Sequence, residues 1–134
     1  MSLADIQVFN IMSRVLVTVP ENASLDEILD AMIKNKVSAV IVVAPSGDFI
    51  GIVTKTDIIT ALKEYGAEIF NKKAEDLLCP KPYTIKGTDT VREAARKMLN
   101  NKVHRLLVFS PAGVGKSMPV GVVSATDILK VVAL

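Results

Sequence analysis

Tryptophan is missing from this chain of 134 residues, which holds one cysteine, one histidine, two tyrosines and four phenylalanines. A lone Cys79 cannot close an internal disulfide, and with His104 as its only soft companion it cannot build a structural zinc site. The same scarcity removes H-E-x-x-H and C-x-x-C chemistry, so neither a catalytic metal nor a redox pair is expected, and the chain reads as one that is not an enzyme. With aromatics at 4% there are few platforms for base stacking. A balance of 16 Lys and Arg against 14 Asp and Glu, net +2, falls short of the basic stripe of a dedicated nucleic-acid binder. It suits a small phosphorylated ligand, which needs only a few placed cations. Apolar runs such as Val37 to Ala44 end after about eight residues, well below the roughly 20 of a membrane span. The first residues also lack the basic stretch and apolar core of a secretory signal, so the expectation is a cytoplasmic protein without membrane insertion.

What the chain does have is apolar residues, 50% of the total, enough for one substantial core. It also repeats itself. A shift of 66 aligns Thr18 to Val43 with Thr84 to Phe109, with seven of 26 positions identical, among them Thr18/Thr84, Glu27/Glu93, Met32/Met98 and Asn35/Asn101. The register then slips by four residues within Ser110 to Met118, and Gly51 to Ile59 (GIVTKTDII) aligns with Gly121 to Leu129 (GVVSATDIL) at a shift of 70, with five of nine identical. A surface connection absorbs such an insertion at little entropic cost.

Each copy follows the same physical plan. Ser24 with Glu27, and Thr90 with Glu93, form capping boxes that open helices. Behind them Leu25, Ile28, Leu29, Met32 and Ile33 recur as Val91, Ala94, Ala95, Met98 and Leu99, a helical stripe facing a core. Asn35 and Asn101 suit the left-handed turn that ends a helix. A β-branched or apolar run follows, Ala39 to Val43 or Arg105 to Phe109, then a polar turn and a second strand, Phe49 to Val53 or Pro119 to Val123. Another helix starts near Asp57 or Asp127. A short strand at Val15 to Val19 or Tyr83 to Ile85 completes a β-α-β-β-α unit, and a charged helical segment around Glu68 to Leu78 joins the two copies. The expected fold is therefore α+β, divided as 1–66 with an N-terminal helix and 67–134 with the linking helix. The two units pack sheet to sheet in one module, because neither alone buries both of its helices and its sheet.

The doubled G-h-h-[TS]-x-[TS]-D-h signature, with the apolar Ile11-Met12 and Leu77-Leu78 ahead of each first strand and a threonine within it, resembles the cystathionine-β-synthase-type (CBS) domain pair, or Bateman module. The resemblance covers nearly the whole chain. It implies a regulatory module that binds an adenosine-containing nucleotide (AMP, ADP or ATP) in a cleft near an internal pseudo-twofold between the repeats, with the signature aspartates Asp57 and Asp127 holding ribose hydroxyls. An ionised carboxylate accepts from vicinal hydroxyls, and Thr54, Thr56, Ser124 and Thr126 stand at helix starts suited to an anion. An aspartate after a threonine at a helix start is also an ordinary cap, and that reading stays open.

The copies differ at one informative place. Copy one carries Ser38-Ala39 where copy two carries His104-Arg105, a pair that in nucleotide-binding members of the family contacts phosphates. An Arg fork and a His donor both suit phosphate. The preferred site is therefore Thr84, Val103, His104, Arg105, Ser124, Thr126 and Asp127, and the second site is Thr18, Val37, Ser38, Ala39, Thr54, Thr56 and Asp57. Alternatives are S-adenosylmethionine or NAD as the ligand, or a structural dimerisation module without one. Apolar helix positions Ile58, Ile59 and Leu62, with Ile128, Leu129 and Val132, are expected to pair two chains into a homodimer. A regulated enzyme or transporter is the partner class the resemblance implies. Gly113-Val114-Gly115-Lys116-Ser117 mimics the end of a phosphate loop, but that motif requires glycine where Ser110 stands and a helix after its lysine, whereas Met118-Pro119 and a strand follow. It reads as a solvated turn.

Overall fold

The computed structural model describes residues 5–110 and 118–133, so the Gly113 to Ser117 stretch, Lys116 included, lies outside the described residues. The elements run β1 (Thr18–Pro20), α1 (Leu25–Asn35), β2 (Ala39–Val43), β3 (Phe49–Thr54), α2 (Lys55–Tyr65), α3 (Ala74–Leu77), β4 (Thr84–Lys86), α4 (Val91–Asn101), β5 (Arg105–Phe109), β6 (Gly121–Ser124) and α5 (Ala125–Val132). There are two three-stranded sheets, β1-β2-β3 and β4-β5-β6. In each the first pair is parallel and the second antiparallel, so the fold is α+β and β-α-β-β-α occurs twice.

Local chemistry explains the helix ends. The Ser24 hydroxyl accepts from the Glu27 N–H at 3.1 Å while the Glu27 carboxylate accepts from the Ser24 N–H at 3.4 Å, closing the first box. Such a cap contributes about 1 kcal/mol. Thr90 makes half of its box: its hydroxyl accepts from the Glu93 N–H at 3.2 Å, but the Glu93 carboxylate takes the Thr90 hydroxyl at 3.3 Å. The left-handed residues are Lys36 (φ 53°) and Lys102 (φ 55°), one position beyond the asparagines expected to adopt that turn. Asn35 and Asn101 instead end the helices by donating from Nδ2 to the carbonyls of Ala31 and Lys97, each at 2.8 Å. Left-handed backbone costs a lysine roughly 1–2 kcal/mol. That cost is offset by bonds that close the helix: Val37 N–H to Met32 O and Val103 N–H to Met98 O, both 3.0 Å.

Alternation along the strands sorts two faces. Val40, Val42 and Val53 join Ile28, Met32, Ile69 and Leu77 in one core, and Leu106, Val108 and Val123 join Val8, Ala94 and Met98 in the other. Burying a side chain such as Ile28 or Leu106 is worth about 1.5–3 kcal/mol. On the opposite faces Ile41, Ile52 and Leu107 are also buried, so these sheets are apolar on both sides at their centres. The helical stripe is narrower than the sequence implies. Ile33 is 75% exposed and Leu99 79% exposed. At about 100° per residue they sit about 80° round the helix from Leu25 and Val91, past the edge of the buried face.

The compact units do not follow the sequence halves 1–66 and 67–134. One is Val17–Pro82; the other combines the chain up to Leu16 with the chain from Tyr83. The leading segment of each repeat therefore serves the other repeat's sheet. Cys79 exchanges backbone bonds with Ile52 on the outer edge of β3 at 2.8 and 3.1 Å, and Ser13 does the same with Val122 on β6 at 2.8 and 2.9 Å. Both pairings satisfy edge N–H and C=O groups that would otherwise lack a strand partner. They also explain the signature glycines. A Cβ on Gly51 would lie 2.6 Å from Cys79 O, and one on Gly121 would lie 2.6 Å from Ser13 O.

The joining segment is not one helix. A 3-10 turn over Gly66–Asn71 and the one-turn α3 are separated at Lys72-Lys73, where the Lys72 ammonium sits 4.4 Å from the Tyr65 ring centroid and the Lys73 N–H donates to Asp76 Oδ2 at 2.9 Å. Near the start, Val8–Asn10 forms a 3-10 turn where a helix was expected. Among the described residues no helix is long and apolar enough to cross a membrane.

Candidate functional site

Both signature aspartates stand at the third position of a helix, and both are built into its cap. Asp127 Oδ2 accepts from the Ser124 N–H at 2.8 Å, and Ser124 Oγ accepts from the Asp127 N–H at 3.2 Å. In the first repeat Asp57 Oδ2 accepts from the Thr54 N–H at 2.8 Å and from the Thr54 hydroxyl at 2.9 Å, while Thr54 Oγ1 accepts from the Asp57 N–H at 3.2 Å. The capping role weighed from the sequence is thus real in both copies. It does not exhaust the carboxylate, because the cap engages Oδ2 and leaves Oδ1 as a second acceptor at a half-buried position. The contacts to Asp57 Oδ2 are the denser of the two sets, since the Thr54 hydroxyl donates to it as well.

The strands bring the phosphate-type residues to the same corner. Arg105, first residue of β5, is the cross-strand partner of Ser124, and the His104 carbonyl accepts from the Ala125 N–H at 2.8 Å. Arg105, Ser124 and Asp127 are half-buried and His104 is exposed. Thr84 pairs with Leu107, two residues along β5 from Arg105, so it shares the Arg105 and Ser124 face, with β5 between it and β6. Its carbonyl accepts from Lys97 Nζ. Val103 instead packs against the helix-side core, and Thr126 is exposed on the first turn of α5.

The first repeat reproduces the frame without the cations at those positions. Ala39 is the cross-strand partner of Thr54, the Ser38 carbonyl accepts from the Lys55 N–H at 3.0 Å, and Thr18 pairs with Ile41. Val37 packs against its core, while Thr18 and Thr56 are exposed. The sequence reading missed Lys55. It fills the variable position of the signature, where the second copy has Ala125, and lines a cavity of about 380 Å³ with Met32, Ile33, Lys36, Val37 and Ser38. The signal was available in the Lys55/Ala125 mismatch between copies. No group of three or more His, Cys, Asp or Glu among the described residues is placed to hold a metal ion.

The duplicated frame agrees with comparison to known proteins. The CBS domain model matches residues 7–64 and again 74–134, and the chain belongs to the CBS domain family as a tandem pair. Among curated relatives, uncharacterized protein MJ1225 of Methanocaldococcus jannaschii is 27% identical over 120 residues, covering 90% of this chain and 40% of that protein. The chain thus spans well under half the length of that relative. Among solved structures, a conserved protein from Pyrococcus horikoshii matches with a TM-score of 0.85 and 21% identity over 100% of this chain and 96% of that one. CBSX2 in complex with AMP matches at 0.76 and 21%, covering 96% of each chain. The CBS domain pair of MJ0100, solved with 5′-methylthioadenosine and S-adenosyl-L-methionine, matches at 0.79 and 24%, covering 95% of each. At these identities the likeness is one of fold.

Proposed function

We propose that this CBS pair is a regulatory module that catalyses nothing itself and binds an adenosine-containing nucleotide of the AMP, ADP or ATP class. The preferred site is that of the second repeat, with Thr84, His104, Arg105, Ser124, Thr126 and Asp127; Val103, expected there from the sequence, packs against the helix-side core. The observation that carries this reading is the pairing of Arg105 with Ser124 beside the capped Asp127. It brings residue Arg105 opposite the Ser124 that caps Asp127, at one strand-to-helix corner. Asp127 Oδ1 would accept from the ribose hydroxyls, and Arg105 with His104 would meet phosphate. Support from relatives is of the same kind, since similar folds have been solved with AMP and with methylthioadenosine and S-adenosylmethionine. The first repeat offers the same acceptor at Asp57 without an arginine opposite Thr54, and ranks second.

The module would act as a homodimer, regulating an enzyme or transporter. Support comes from its exposed apolar helix residues: Ile59 at 64% and Leu129 at 65%, with Leu62 and Val132 at their aligned positions. A thermal-shift panel of AMP, ADP, ATP, S-adenosylmethionine and NAD tests the ligand class. A ligand at 100 times its dissociation constant stabilises the fold by about 2.7 kcal/mol, which raises the melting temperature by several degrees. The proposal expects the adenine nucleotides to give the largest rise, and a rise confined to S-adenosylmethionine or NAD would reassign the ligand.

A further inference from the structure

The cavity at the end of α1 takes in Val37 and Ser38, two residues expected at the Asp57 site, but none of Thr18, Ala39, Thr54, Thr56 and Asp57. Its six lining residues are Met32, Ile33, Lys36, Val37, Ser38 and Lys55, and none is acidic. It lies on the helix side of the first repeat, whereas Thr18, Ala39 and Thr54 share the opposite sheet face, as their register dictates. Two backbone devices bring its lysines together. The left-handed turn at Lys36 ends α1 and reverses the chain there, and the Lys55 N–H to Ser38 carbonyl bond ties the start of α2 to the same connection.

Neither ammonium has an ion-pair partner among the described residues, and the neighbouring Lys34 pairs with Asp30. Two lysines and a serine lining one cavity are the kinds of donor a phosphate dianion requires, and ammonium groups serve it as point charges. The exposed Ile33 with Met32 and Val37 forms an apolar wall beside them. In the second repeat the counterparts are Lys102, His104 and Ala125, so the pair of lysines is specific to the first.

We propose that Lys36, Ser38 and Lys55 form a phosphate-binding pocket on the first repeat, separate from the adenosine site of the second. Its ligand is a phosphate group, free as pyrophosphate or carried as the tail of a nucleotide. This claim stands independently of nucleotide binding by Asp127.

The test is a titration of the full chain followed by amide chemical shifts, with pyrophosphate, ATP and adenosine as probes. Pyrophosphate should shift the Ser38 and Lys55 amides saturably, and adenosine should leave them in place. Lys36→Ala with Lys55→Ala should weaken this binding about tenfold or more, which two lost charge-assisted bonds justify, while Lys55→Arg retains most of it. Asp127→Ala should leave the pyrophosphate response intact, so loss of the adenosine site and loss of this pocket are read separately. ATP acting at the pocket only when Asp57 is present would identify the phosphate as a nucleotide tail; pyrophosphate saturating the pocket in Asp57→Ala would identify a free anion. The proposal is overturned if pyrophosphate moves only residues around His104 and Arg105, or if the double lysine variant, shown to be folded by its retained amide dispersion, binds as the parent does.

Discussion

Ser124 and Asp127 hold each other reciprocally: the Ser124 N–H donates to Asp127 Oδ2 at 2.8 Å, and the Asp127 N–H donates to Ser124 Oγ at 3.2 Å. One carboxylate thus has a structural task and, through its other oxygen, the proposed binding task. Substitution separates them. Asp127→Ala removes both and should cost about 1 kcal/mol of stability, a drop of about 3 °C in melting temperature. Asp127→Asn keeps a carbonyl to accept from Ser124, so it should retain most of the stability and still lose most of the AMP-induced rise. Thermal unfolding of the three proteins with and without AMP checks this. If Asp127→Asn binds AMP like the parent, the negative charge is not what holds the ribose.

Arg105 should read phosphate and not the nucleoside. Arg105→Ala is expected to weaken AMP and ATP roughly 10–100-fold, the loss of a charge-assisted contact of about 1.5–3 kcal/mol, and to leave adenosine nearly unchanged. Arg105→Lys should fall between, since it keeps the charge and loses the fork. Equal loss for adenosine and ATP in competition binding would contradict the assignment.

Gly51 and Gly121 carry a prediction about the fold. A methyl group at either meets a backbone carbonyl at 2.6 Å, which cannot rotate away as a side chain can. Gly51→Ala and Gly121→Ala should each cost about 1–3 kcal/mol in urea unfolding by forcing the Cys79 or Ser13 segment off its strand. A loss below about 0.5 kcal/mol, the ordinary surface value, would mean the leading segments do not close these sheet edges.

Those two glycines also mark how far the sequence was legible. The repeat, the capped helices, the strand pairs and the turn at Pro45 to Asp48 are local patterns, and periodicity and turn chemistry are enough to place them. Which sheet each leading segment serves is not local. Met12-Ser13 and Leu78-Cys79 look alike and either could close either edge, so the sequence alone divides the chain at 66/67, whereas the bridges join Cys79 to β3 and Ser13 to β6. The capping role of Asp57 and Asp127 was legible as one of two readings, and the pattern cannot decide between them, because a Thr or Ser followed three residues later by Asp suits a cap and the proposed binding corner alike. Lys55 does not stand out in the sequence because it is not at the 38/39 positions aligned with His104-Arg105; it follows the β2-β3 hairpin, at the start of α2.

The exposed helix faces give an assembly prediction. Leu129→Glu places a charge where 65% of the side chain is exposed, so the folded chain should tolerate it. In a dimer paired through these faces the same charge is buried without a partner. Sedimentation should show the parent as a dimer at micromolar concentration and the variant as a folded monomer. A parent that sediments only as monomer would contradict the assignment of this surface.

The most direct test of the account is calorimetric titration of AMP into the parent chain, Asp127→Ala and Asp57→Ala. The second-repeat assignment predicts that Asp127→Ala weakens the dominant binding event by about tenfold or more, since it removes a charge-assisted acceptor, while Asp57→Ala changes it by less than about threefold. Binding abolished by Asp57→Ala and untouched by Asp127→Ala would invert the two sites, and the absence of any nucleotide binding to the parent at millimolar concentration would contradict the nucleotide-sensing function itself.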